Sequence, residues 1–142
     1  MESHWSVAVW FFLSSDAESF DFQRVTDILG FQPSETKKKS ECFYPPLAAS
    51  SWFYEIPHRI TFWTKTEMEK MQKLIEPHVD ELRSFCKEQG ISPSFTINVH
   101  SANDSHPGIE VTTEFVQFAA KLGADIHFDV ACNLREQFEV PQ

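Results

Sequence analysis

The chain opens on an apolar run, Trp5-Ser-Val-Ala-Val-Trp-Phe-Phe-Leu13, in which both alternating sets of positions carry hydrophobic side chains. That pattern predicts a central strand covered on at least part of both faces. Trp10 and Phe12 share one face; Trp5, Val7, Val9, Phe11 and Leu13 share the other. After the polar turn 14–19, Asp21 is placed to cap a helix ending at Leu29. Phe22, Val25, Ile28 and Leu29 line one side of it, and Gly30 stands where a left-handed stop belongs. Residues 34–51 lose all periodicity and read as an irregular surface excursion, with Pro45-Pro46 and the small run Ala48 to Ser51.

Trp52 to Ile56 reads as a strand that Pro57 ends or places at an edge, and Arg59 to Thr64 as a second extended segment. The longest helix follows. Thr66 and Glu69 have capping-box spacing, and Met68, Met71, Ile75, Val79, Leu82, Phe85 and Cys86 form its apolar stripe up to Gly90. Pro77 lies within the stripe and predicts a kink or two consecutive helices. Ser94 to His100 alternates cleanly. The turn chemistry of residues 103–108 then predicts an antiparallel hairpin with Ile109 to Thr112. Thr112 or Thr113 caps a third helix that buries Phe115, Phe118, Ala119 and Leu122. Gly123 stops it before a last strand, Asp125 to Val130, and the polar tail 132–142 reads as mobile.

These elements describe one α+β domain over residues 1–142: a two-layer sandwich with a mostly antiparallel sheet of about five strands and three helices. Composition agrees, since 42% hydrophobic and 14% aromatic residues, fourteen of them phenylalanine, supply a core for one sheet face. A formal charge of −9 disfavours a nucleic-acid partner, because that contact rests on Lys and Arg neutralising phosphates. Lys37-Lys-Lys39 reads as a short solvated charge run rather than an anion clamp. No apolar run approaches the roughly twenty residues of a membrane span. Glu2, not a basic residue, precedes the first apolar run, and no small-x-small cleavage pattern follows it. Three scattered cysteines fit reduced thiols, and the expected location is cytoplasmic.

The helix end Ile28-Leu29-Gly30 with Pro33 three residues on, the isolated Trp52, and Leu122-Gly123-Ala124 before the last strand carry a family likeness. Over roughly residues 5–131 the chain resembles the bacterial family known as domain of unknown function 4279. The resemblance implies a ferredoxin-like or related α+β sandwich and brings no catalytic residues with it. The chain departs from it in the proline-rich insertion around Pro45-Pro46.

No catalytic, metal or phosphate motif stands out, and neither a cofactor nor a metal is expected. His127 and Asp129 alternate on one strand and His100 ends another, but none of the standard ligand spacings is present. Seven acidic side chains from Asp104 to Glu139 face only Lys121 and Arg135 in the last third. A small acidic domain without catalytic motifs fits a protein-binding role, and in sharper form an immunity-type inhibitor of a basic toxin or effector. Asp125, Asp129, Glu110 and Glu114 would steer such a partner, and Trp52 and Trp63 would anchor it. Two alternatives stand beside it. One is a small enzyme or ligand-binding domain with His100, His127 and Asp129 in a pocket near the sheet. The other is a homodimer that covers the second sheet face, unless the excursion 34–51 covers it.

Overall fold

Trp5–Ser15 forms strand β1 at the centre of a five-stranded sheet, in a computed structural model that describes residues 5–61, 63–101 and 108–132. On one side β1 pairs antiparallel with β3 (Ser50–Ile60), and β3 with the short edge strand β2 (Glu35–Lys37). On the other it pairs antiparallel with β4 (Ser92–Ser101), and β4 parallel with β5 (Asp125–Cys132), giving the order β2-β3-β1-β4-β5. Helices α1 (Phe22–Leu29), α2 (Thr64–Ile75), α3 (Val79–Gln89) and α4 (Thr113–Leu122) make up the second layer. Pro77 sits in a 3-10 turn between α2 and α3, so the long apolar stripe runs along two consecutive helices. The α+β sandwich is the expected class. Among the described residues the sheet is antiparallel except for the β4/β5 pair.

The helical layer covers the face that holds Val7, Val9, Phe11 and Leu13. Phe11 lies between Trp52 and Phe95 (ring centroids 6.2 and 5.0 Å), and Phe95 reaches Phe115 and Phe118 on α4 at 5.3 and 5.5 Å. This aromatic chain ties sheet to helices and accounts for much of the phenylalanine content. Cys86 is buried among the same groups, and burial pushes its thiol up to about 12. Asp21 caps α1 by accepting from the Arg24 amide at 3.0 Å, and Gly30 and Gly123 close α1 and α4 at φ of 81° and 79°. Only glycine takes that conformation at no steric cost.

Four expectations are corrected. Residues 109–112 are no strand: Ile109 and Val111 pack against the core, and the Glu110 amide donates to Thr64 Oγ1. β5 takes the place beside β4 instead, and the parallel direction requires the crossover that α4 supplies. The Thr66–Glu69 capping box does not form, because α2 begins at Thr64 and both residues lie exposed within the helix. The two extended segments expected over 52–56 and 59–64 give way to one strand, β3, which runs unbroken from Ser50 to Ile60 with a bulge opposite the Val7–Val9 step, while Thr64 already begins α2. The excursion 34–51 is not wholly irregular, since it holds β2 and two 3-10 turns. The turn residues 103–107 and the tail beyond Cys132 lie outside the described residues.

Candidate functional site

Among the described residues, one face of the sheet carries no helix. Within the excursion 34–51, residues 39 and 40 are tied to the turn after β1, the Lys39 amide donating to Glu18 O and the Ser40 amide to Glu18 Oε1, and Trp10, Phe12 and Phe53 on this face stay only half-buried. Register places Phe53, Phe12, Ser94 and Asp125 in one row across this open face, with Glu55, Trp10, Thr96 and His127 in the next. A third row runs through Ala8, Asn98 and Asp129.

At its centre Trp10, Phe12 and Phe53 form a half-buried aromatic patch. Phe12 stacks on Phe53 at 4.6 Å, and Trp10 meets Phe53 edge-on at 5.8 Å. The Trp10 indole donates to Glu55 Oε2 at 2.7 Å, which holds the ring in place and occupies the carboxylate.

Beside the patch lies a polar cluster created by the β3 bulge. Phe53 and Glu55 face the open side, yet beyond the extra residue His58 does so too, while Arg59 turns to the helix side. There Arg59 Nη1 comes within 3.9 Å of Glu67, a buried carboxylate that Lys70 also pairs at 2.8 Å. His58 Nδ1 bonds the Ser6 hydroxyl at 2.7 Å, and its ring lies 4.3 Å from that of His100. Desolvation lowers the His58 pKa below its ordinary value, and the nearby His100 lowers it further. Both effects favour the neutral imidazole. Its ring and that of His100 offer two nitrogen ligands, and among the described residues no third His, Cys, Asp or Glu joins them in a metal-sized group.

The predicted pocket residues are brought to one face: His127 stands beside Thr96, Asp129 beside Asn98, and His100 one row further along β4. Asn98 is 2% exposed, and its Nδ2 has no hydrogen-bond partner among the described residues. The predicted partner residues are dispersed. Asp125 and Asp129 are exposed on β5. Trp63 (63% exposed) and Glu110 border a cleft of about 330 Å³ with Trp5, and Lys65 pairs with Glu110 at 3.3 Å. Glu114 lies elsewhere, in a groove with Glu69 and Lys73. Trp52 is corrected outright. It is 0% exposed, with its indole donating to Thr26 Oγ1 at 3.2 Å, and so presents no surface to a partner. Sequence reasoning missed Ser6, Phe53, Glu55, His58 and Asn98. Strand alternation outward from Trp52 pointed to Phe53 and Glu55, and Pro57 was the one signal of the bulge that redirects His58.

Residues 3–133 match the model of a family described as a domain of unknown function (DUF4279), and the chain belongs to that family. No curated protein and no solved structure is detectably similar to it. No helix among the described residues is long and apolar enough to cross a membrane.

Proposed function

We propose that this chain is a non-enzymatic, cytoplasmic protein-binding domain that meets its partner with the open face of its sheet. The observation that carries this reading is the Trp10–Phe12–Phe53 patch, packed on itself yet only half-buried, on a face that no helix among the described residues covers. Aromatic groups held this rigidly lose little entropy on binding and serve as anchors. Asp125 and Asp129 flank the patch on β5, and the net charge of −9 favours a basic partner. The sharper form is an immunity-type inhibitor capping a basic toxin or effector. Trp63, Glu110 and Glu114 lie outside the surface proposed.

The test is affinity capture at low salt with three baits run in parallel: the native chain, Trp10→Ala/Phe53→Ala, and Asp125→Lys/Asp129→Lys. The reading expects one stoichiometric basic protein, released as salt rises, lost from the aromatic variant and slower to associate with the lysine variant. A partner held equally well by the aromatic variant would overturn it, and so would an empty capture.

A second reading rests on the unpartnered Asn98 amide, a buried donor that a ligand acceptor would satisfy. In this alternative the domain binds a small molecule over Asn98, with His100, His127 and Asp129 as polar contacts. A ligand whose affinity survives Asn98→Val would exclude it.

A further inference from the structure

We infer that β5 is a self-complementary edge through which two copies of this chain pair antiparallel, about a two-fold axis at Phe128. β5 is the outer strand of the sheet, eight residues long, and Asp125, His127, Phe128, Asp129, Val130 and Ala131 are all exposed on it. The opposite edge, β2, has three residues. A long edge offers a row of backbone donors and acceptors to another strand, whereas a very short one offers little. On β5, Phe128 and Val130 are each 44% exposed on the side where the helices lie, so the apolar set on that side is incompletely covered.

The side-chain order selects both the occupant and the register. Antiparallel pairing centred on Phe128 sets His127 opposite the partner's Asp129 and Asp129 opposite the partner's His127, giving two imidazole–carboxylate pairs on the open face. On the other face it sets Phe128 against its own copy and Ile126 against the partner's Val130. A shift to a centre at His127 would oppose Asp125 to the partner's Asp129. A shift to Asp129 would oppose that carboxylate to itself. Directly opposed like charges destabilise a strand pair and opposite ones stabilise it, so of these three registers only the one at Phe128 is favourable on both faces; a centre at Ile126 also opposes Asp125 to the partner's His127 but pairs only residues 125–127 of β5. Charges placed simply to blunt an edge need no such match. The two-fold axis stands perpendicular to the sheet and joins both copies into one continuous sheet. Their aromatic patches on β1 and β3 remain uncovered; Asp129 belongs to both surfaces, so the aromatic variant below is what separates the dimer from the proposed partner.

The test is sedimentation of the full-length chain across a concentration series, with circular dichroism to verify that each variant is folded. The native chain is expected at dimer mass. His127→Asp creates two opposed carboxylate pairs and should weaken the dimer roughly tenfold or more. Asp129→His should weaken it through two opposed imidazoles, and Phe128→Arg should yield monomers. The exchange His127→Asp/Asp129→His restores the complementary pairs and should restore the dimer. A native chain that stays monomeric would overturn the inference. So would a dimer indifferent to these changes, or one that the single changes weaken and the exchange leaves weak. Trp10→Ala/Phe53→Ala, which disrupts the partner surface, should leave the dimer intact.

Discussion

The two faces of the sheet are built from the same strands, yet they differ in what each side chain is required to do. On the helix side Phe11, Trp52 and Phe95 are fully buried, and the one polar atom of Trp52 finds Thr26. On the open side Trp10, Phe12 and Phe53 are only half-buried, the Asn98 amide finds no partner among the described residues, and the tilted rings of His58 and His100 lie 4.3 Å apart. A face selected for stability alone would not combine rigid, half-buried aromatic rings with an unsatisfied buried donor. The proposed partner surface rests on that difference.

Truncation should break the comparison most visibly. Trp52→Ala removes the largest fully buried side chain and should cost about 3–5 kcal/mol in chemical denaturation. Trp10→Ala, at a half-buried site, should cost about 1–2 kcal/mol while eliminating partner capture. Equal costs at the two positions would mean that the open face is a second core. Asn98→Val reverses the sign: replacing an unsatisfied buried amide by an apolar β-branched residue should stabilise the fold by roughly 1 kcal/mol. A loss of stability would show instead that the amide is satisfied in solution.

The smallest expected effect is in pH dependence. His58 has its pKa lowered in the folded state, chiefly by desolvation and further by His100, from an ordinary value of 6.5. Below that value the unfolded chain binds the proton more readily than the folded one, so stability should decline as pH falls through 6.5 and below. Thermal melts from pH 7.5 down to about 5 should show this decline, and His100→Asn should reduce it by removing the neighbouring charge. An unchanged slope in His100→Asn would remove the His58–His100 contact from the account.

Much of this architecture was legible along the chain, and the reasons are local. Asp21 as a cap, the stops at Gly30, Gly90 and Gly123, and the break at Pro77 each follow from backbone chemistry within a few residues. The division of β1 into a Val7–Leu13 face and a Trp10–Phe12 face needed only a period of two. The misreadings arose where a distant partner changed the outcome. Ile109 to Thr112 alternates like a strand, but packing on the core and the Thr64 hydroxyl satisfy it first. Trp52 looked like an isolated aromatic available to a partner until α1 lay across it.

The candidate site was half legible for the same reason. His100, His127 and Asp129 were read as neighbours, and they share the open face because β4 and β5 pair. Their closest companions came from elsewhere in the chain: His58 through a bulge, and Asn98 through its position in the β4 register.

By itself, the sequence determined the periods, caps and stops of the elements, the acidic charge and the membership of a family, because these depend on residue type and short-range geometry. Tertiary structure alone decided which strand neighbours which, which aromatic rings are buried, and which edge remains open. Those outcomes depend on contacts between residues far apart in the chain, and a one-residue bulge or a change of strand direction reassigns whole faces at once.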